Sequence, residues 1–394
     1  MIRAVFVAHT AAPSGAELAT SRLLSALRNV PAEFTVEPSV IYTEDGPMVS
    51  AMKSQGIQTS LLANTFDSRS VTIDGSGWLR RLTGAAALVR LGWDLGAVVR
   101  EHGADVLIAG STKALIMSAV AAKRARIPLI WHVHDRISAE YFGATLAFLI
   151  RMIGMMVSDG YIANSRSTQN SLRPRRRPGV VAYPGLDFLR TLDTEHPPQR
   201  PPAETVVAVV GRLTRWKGQD VFLRALANTS VKPQRVYLVG GTFFGEDSFR
   251  TELEDLASEL QLPVTFTGHL DDPSDILSTA DILVHCSVIA EPFGQVVVEG
   301  LRAGCAVIAT QPGGPAEAIE SGVHGLLVDA GNADQLTDAL DRLIEDRDLR
   351  IRLAQAGLSR ARKFDIADSA QTVASFFAQI LNRRATASLE ERSV

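Results

Sequence analysis

The chain has 394 residues, 40 of them basic and 43 acidic, for a formal charge of −3. That length suits two domains, each able to bury its own core, and the near-neutral balance excludes a strong field drawing the protein to nucleic acid. An apolar fraction of 46% is that of an ordinary globular enzyme, and two cysteines far apart, Cys286 and Cys305, make no disulfide framework and fit a reducing, cytoplasmic setting.

The N-terminal run MIRAVFVAHT is too short for a signal-peptide core and has no small-residue cleavage site. It predicts a first strand, Ile2–Ala8. Behind it AAPSGAELA, residues 11–19, is a glycine-containing strand-to-helix turn without the G-x-G-x-x-G of a dinucleotide site. Further β-rich runs follow at Asp105–Ala109, Leu129–Val133, Gly160–Ala163 and Val180–Ala182, each with helix-like sequence after it. The run at Leu129 ends in WHVHD. Strand alternation puts His132 and His134 on one side, with His134 at the C-terminal tip. A lone strand-end histidine is more often structural than functional, and no Cys or His cluster accompanies the pair to hold a metal.

Between Leu129 and Val180 lie two features of a different kind. TLAFLIRMIGMMV, residues 145–157, is interrupted by Arg151 and is too short for the roughly 18 apolar residues of a membrane span. A core helix is its first reading. SLRPRRRPG, residues 171–179, holds four arginines; an exposed prolyl loop explains it, but with the apolar stretch it keeps peripheral contact with an anionic membrane open.

Residues 190–204, RTLDTEHPPQRPPAE, hold four prolines and read as a linker. It divides an N-terminal domain, 1–189, from a C-terminal one, 205–363. The second series of strands is expected at Thr205–Val210, Arg235–Val239, Val264–Thr267, Ile282–His285, Ala306–Ala309 and Gly325–Val328. A helix over 364–381 is expected to pack back on the first domain, and 382–394 to lack structure. Continuous apolar strands alternating with helices imply parallel sheets covered on both faces. The fold class is therefore α/β, with two doubly wound, Rossmann-like domains facing across a cleft and ligands bound at the carboxyl ends of strands.

The chemistry-bearing motifs fall just after strands. GRLTRWKG, residues 211–218, offers Arg212 and Lys217, a planar guanidinium and a mobile ammonium suited to neutralising a diphosphate; a solvated basic loop is the plain alternative. EPFGQVVVEG, residues 291–300, sets Glu291 beside a helix N-terminus at Gln295, with Glu299 over a turn further on as an acceptor for vicinal hydroxyls. QPGGPAEAI, residues 311–319, has Gly313 and Gly314, which permit close backbone approach to phosphate or sugar. Its Glu317 falls in a first helical turn, where an acid is favoured anyway. Asp346-Arg-Asp348 mimics a metal-binding D-x-D but lies in a charged helical stretch and reads as a solvated face.

Taken in order, these motifs resemble family 4 of the retaining glycosyltransferases, a large group with the GT-B fold. The resemblance spans nearly the whole chain and is strongest from Val206 to Glu345. It implies Arg212 and Lys217 on the donor diphosphate, with Gly211 in the same loop. EPFGQVVVE matches the family's E-x7-E signature, which implies Glu291 on the donor sugar and Glu299 on the ribose, with the Phe293 and Gly294 amides close by and Gln295 opening the helix. FTGHL, with Gly268 and His269, resembles the segment whose backbone meets the base. HVHD resembles the family's strand-end histidine, which implies His134 near the donor sugar. SGAE resembles the glycine loop GGAE; Ser14 stands where the family has its first glycine, leaving Gly15 as the contact. YPGLD resembles an NG-x-D turn with Pro184 for Asn, so no role carries over. Arg212, Lys217, Glu291 and His134 are the implied catalytic set. Gly15, Gly211, Gly268, His269, Phe293, Gly294, Gln295, Glu299, Gly313 and Gly314 are the implied donor-binding set.

The resemblance implies a retaining, front-face transfer of a sugar from a nucleotide-diphosphate donor to an acceptor hydroxyl, with a donor phosphate oxygen taking the proton. No cofactor and no metal are expected, and by family frequency the donor base is uracil. N-terminal loops such as Thr65–Ser76 would choose the acceptor, which can be a glycan, a lipid-linked sugar or a small natural product. A nucleotide-sugar 2-epimerase on the same fold and a non-catalytic nucleotide-sugar-binding module are the alternatives.

Overall fold

The computed structural model describes residues 1–31, 34–62, 78–173, 177–188, 200–242 and 246–392, with side chains for all but 78–86 and 387–392. Thr65–Ser76, Arg175, Arg176 and 190–199 of the expected linker lie outside the described residues. The chain divides into two compact units, Met1–Asp187 with Ile366–Val394, and Phe188–Asp365.

The first unit runs β1 (Ile2–Ala8), α1 (Gly15–Leu27), β2 (Val36–Tyr42), α2 (Pro47–Ser54), β3 (Gln58–Leu61), α3 (Trp78–Glu101), β4 (Val106–Ala109), α4 (Thr112–Ala125), β5 (Leu129–Val133), α5 (Ala139–Phe142), α6 (Ala144–Val157), β6 (Gly160–Ala163), α7 (Arg166–Leu172) and β7 (Gly179–Val181). The second runs β8 (Val206–Val210), α8 (Gln219–Ala227), β9 (Arg235–Val239), α9 (Asp247–Glu259), β10 (Val264–Gly268), α10 (Ser274–Thr279), β11 (Ile282–Val284), α11 (Gln295–Arg302), β12 (Ala306–Gln311), α12 (Pro315–Ala318), β13 (Leu326–Asp329), α13 (Ala333–Glu345) and α14 (Arg347–Ala361). The last helix, α15 (Ile366–Arg392), belongs to the first unit.

Among the described residues every strand pairing is parallel, in a sheet ordered β3-β2-β1-β4-β5-β6-β7 and a second ordered β10-β9-β8-β11-β12-β13. Both reverse direction of build beside their first strand, the doubly wound pattern, and in such sheets ligands bind outside the carboxyl ends at that reversal. The alternation of β1 explains why its sequence is continuously apolar. Ala4 and Phe6 join a core shared with α1, α2 and α15, while Val5 and Val7 join another shared with α3, α4 and α6.

Two strands escaped the sequence pattern. β2 reads VEPSVIY, broken by Glu37, Pro38 and Ser39, and β3 reads QTSL, an edge strand without a buried residue. Pro38 is tolerated because β3 begins pairing only at Ser39, so Pro38 has a strand neighbour on one side alone, Ala4. The C-terminal helix also differs from expectation. It runs on through Arg392 instead of stopping at 381, across ATASLEER, which contains no glycine or proline to end it. Ile366, Ala370, Val373, Phe377 and Ile380, spaced by three or four, bury one face of it against the first sheet, and the Phe377 ring meets Phe6 edge-on at 6.4 Å.

Candidate functional site

In the second unit the reversal lies between β8 and β11, and the segments after these two strands carry the site. Gly211 leaves β8 with φ 150°, and the basic loop ends in a short 3-10 turn, Arg215–Lys217, closed by Gly218 at φ 70°. A β-carbon on Gly218 would stand 2.2 Å from the Cys286 carbonyl oxygen. Only glycine therefore lets the loop lie against the end of β11, where Val288 N donates to Trp216 O at 2.9 Å.

This docking delivers Lys217 to Glu291. Nζ lies 2.7 Å from Oε1, with side-chain exposures of 16% and 11%. The other carboxylate oxygen, Oε2, is 2.5 Å from His285 Nε2 and accepts from Ser287 Oγ at 2.7 Å. His285 follows β11 directly, and its Nδ1 accepts from the Thr310 backbone N–H of β12 at 3.4 Å. That leaves the ring proton on Nε2, aimed at Glu291. Burial works to raise the Glu291 pKa, but the Lys217 ammonium and the His285 ring outweigh it and hold the carboxyl well below the usual carboxylate range. His285 joins this network although the sequence pattern gives it no role, since it stands alone at the end of its strand without the H-x-H pair of WHVHD.

Arg212 is held elsewhere. Its Nε is 3.8 Å from Glu246 Oε2, while Thr214 Oγ1 donates to Glu246 Oε1 at 2.5 Å. Glu246 opens α9 in a stretch with no motif to mark it. Gln219 Nε2 fixes the loop by donating to the Arg212 carbonyl at 2.8 Å.

The EPFG segment and the PGG turn are pressed together. A β-carbon on Gly314 would meet Phe293 Cα at 2.2 Å and the Pro292 carbonyl at 2.3 Å, and one on Gly313 would meet the Glu291 carbonyl at 2.8 Å. The close approach made by these glycines is thus to the backbone carrying Glu291, sealed by Gly314 N donating to Glu291 O at 2.9 Å. Gly294 takes φ 80° as the residue before α11, Gln295 opens that helix, and Glu299 stands half-buried upon it. Phe293 is buried with its ring centroid 5.8 Å from that of Phe364. Gly268 ends β10 at φ 73° with open space around it, and the half-exposed His269 has Nε2 3.5 Å from Asp271 Oδ1. Asp346 caps α14, accepting from Leu349 N at 2.8 Å. Cys286 and Cys305 are free and buried, and burial pushes both thiols up to about 12.

The first unit has its reversal between β1 and β4, and a histidine stands there too. His9, just past β1, has Nδ1 2.9 Å from Ser111 Oγ at the start of α4, and burial lowers its pKa to about 4. The sequence reading passed over it. His134 follows β5, and its ring lies on the same side as that of His132, as the alternation predicts, with centroids 4.0 Å apart and planes tilted by 48°. A small cavity beside them is lined by Leu23, His132, His134, Asn164, Tyr183 and Ile366. Burial lowers the His134 pKa to about 4 and that of His132 well below its ordinary value. Gly15 is the exposed first residue of α1, preceded by Ser14, whose hydroxyl donates to Glu17.

Comparison with known proteins accounts for both halves. Residues 193–360 match the family profile described as glycosyl transferases group 1, and residues 48–189 match that described as glycosyltransferase family 4. A D-inositol 3-phosphate glycosyltransferase of Corynebacterium kroppenstedtii is 34% identical over 187 residues, 45% of this chain and 41% of that protein. The match to such relatives thus spans about half their length. The lipopolysaccharide core biosynthesis glycosyltransferase LpsE of Rhizobium meliloti is 28% identical over 327 residues, 79% of this chain and 87% of that one. Among solved structures, HepE of Anabaena in complex with UDP-glucose superposes with a TM-score of 0.81 at 26% identity, covering 96% of this chain and 100% of that one. A sucrose-phosphate synthase of Thermosynechococcus elongatus shares the fold at TM-score 0.77 and 19% identity. With one profile covering the half that carries the E-x7-E glutamates, the other the half that carries the strand-end histidine, and the fold common to both comparisons, the chain belongs to the group 1 glycosyltransferases, family 4.

Proposed function

We propose that this glycosyltransferase takes its sugar from a UDP-sugar and transfers it, with retained anomeric configuration and without a metal, to an acceptor hydroxyl. The observation that carries the reading is the Lys217–Glu291–His285 network at the strand reversal of the second unit. A carboxylate has about four acceptor positions; Lys217, His285 and Ser287 occupy three, leaving Glu291 one for a sugar hydroxyl. Held ionised, Glu291 is an acceptor of hydrogen bonds and not an acid that donates its proton to a leaving group.

In this reading the diphosphate leaves against Lys217 and Arg212, and Glu299 takes the ribose hydroxyls. The protein contributes charge stabilisation and positioning, with the acceptor's proton passing to a donor phosphate oxygen. The likeness to HepE, which was solved with UDP-glucose, supports the choice of base and sugar class.

A thermal-shift series with UDP, GDP, ADP and their sugars tests the donor. Saturating UDP-sugar at about 100 times its Kd should add about 2.7 kcal/mol of stability. Stabilisation by GDP or ADP and none by UDP would overturn the choice of base. Retention is read from the anomeric proton coupling of the product, and metal independence from turnover in excess chelator.

A further inference from the structure

Helix α6 turns an uncharged face outward. Phe148, Leu149, Met152 and Met156 are 57, 40, 41 and 62% exposed, and at about 100° per residue they share one arc of roughly 100°. A helix on the surface of a globular domain ordinarily carries charged residues there. The single charged residue of α6, Arg151, is engaged elsewhere, its Nη1 donating to the carbonyls of Ile137 and Ser171 at 2.9 and 3.3 Å. The helix cannot roll to hide the arc, because a β-carbon on Gly154 of its buried face would already lie 2.2 Å from the Trp131 ring.

Positive charge adjoins this arc. Arg177 donates from Nε to Met155 O at 2.9 Å and from Nη2 to Met156 O at 3.4 Å, tying that arginine to the last turn of α6. Between Asp159 and Asp187 the sequence has five arginines, Arg166, Arg173, Arg175, Arg176 and Arg177, and no acidic residue. Two occupants fit an exposed apolar arc of this kind, a second copy of the chain or a lipid surface. Charge separates them. A second copy would bring two runs of like charge to one interface, which disfavours it. An anionic bilayer takes both features, the apolar arc at the acyl boundary and the guanidinium groups on headgroup phosphates. At 14 residues the helix is too short to cross. Among the described residues no helix is long and apolar enough to do so.

We infer that α6, with Arg177 at its last turn and the exposed Arg173, docks the chain, with the helix in the plane of the surface, on membranes rich in anionic phospholipid. The inference stands apart from the donor chemistry. The test is flotation of the full chain with vesicles of phosphatidylcholine, either pure or with about one-third phosphatidylglycerol. The expected result is recovery with the anionic vesicles, at least tenfold weaker binding to the neutral ones, and loss of binding in F148E/M152E/M156E. Each of R173Q and R177Q should weaken binding about fivefold, with circular dichroism confirming that every variant is folded. Absence from both vesicle fractions, equal binding to both, or binding unaffected by either set of substitutions would overturn it. So would a dimer, detected by sedimentation without vesicle binding, that Phe148→Glu dissolves.

Discussion

Nζ of Lys217 lies 2.7 Å from Oε1 of Glu291, and neither side chain is more than 16% exposed. The second cation expected at the donor diphosphate, Arg212, likewise stands by a carboxylate, that of Glu246 at 3.8 Å. Each positive charge is therefore matched by a negative one, and on the proposed reading a diphosphate entering the site would share its cations with glutamates. The matching keeps the two basic groups ordered and in place beforehand, which is the condition for electrostatic stabilisation of a departing anion.

Replacing Lys217 by Ala should lower turnover on the order of 10²-fold, the effect of removing one oriented electrostatic contact. It should also destabilise the fold by about 3 kcal/mol, because it leaves a buried carboxylate without its cation. Adding Glu291→Gln should restore most of the stability and none of the activity. Denaturant unfolding and initial rates measured on the same three proteins separate the two effects; full activity in the single variant would remove Lys217 from the mechanism.

Arg212 and Glu246 are each about one-third exposed, so their attraction is weak. Glu246→Gln should release Arg212 to the diphosphate and tighten UDP binding a few-fold, with a steeper dependence on ionic strength. Calorimetric titration at two salt concentrations checks this. Weaker binding in the variant would mean that Glu246 orients Arg212 more than it competes for it.

The paired histidines predict a pH dependence of known sign. Burial lowers His134 to about 4 from an ordinary 6.5; burial and then the neighbouring His134 lower His132. In the unfolded chain both take up protons near pH 6.5, while in the folded chain His134 does so only near pH 4. Stability must fall as pH drops through that window and level off below it for the His134 contribution. Unfolding midpoints at a series of pH values should show a shallower slope for His134→Leu than for the parent between these limits. Parallel curves would mean that His134 titrates normally.

Gly314→Ala should cost about 2–3 kcal/mol, since the new methyl overlaps the Phe293 and Pro292 backbone. Because that backbone carries Glu291, nucleotide-sugar binding should weaken along with the fold. The melting temperature with and without donor gives both numbers, and a variant of unchanged stability would show that the turn can move aside.

Both sheets could be read from runs such as IRAVFVA and RVYLV because strands buried on both faces are apolar throughout. β2 and β3 could not, one broken by Pro38 and the other an exposed edge, since their place in the sheet is set by pairing and not by pattern. The motif residues were legible as motifs, yet their local partners were not. Nothing in GRLTRWKG tells that Lys217 meets Glu291 while Arg212 meets Glu246, which is a matter of how loops after different strands converge. His285 and His9 were hidden for a simpler reason, that each stands alone after its strand, without the second histidine that marks WHVHD.

The placement of α15 has a consequence for synthesis. The second unit builds its core from one unbroken stretch of chain, whereas the first leaves a face of its sheet, Phe6 included, without the cover of Val373, Phe376, Phe377 and Ile380 until the last helix arrives. On the ribosome the order of completion is therefore the reverse of the order of translation. The half made second can close first, and the half made first must wait with apolar surface open, the period in which a nascent chain most needs protection from aggregation.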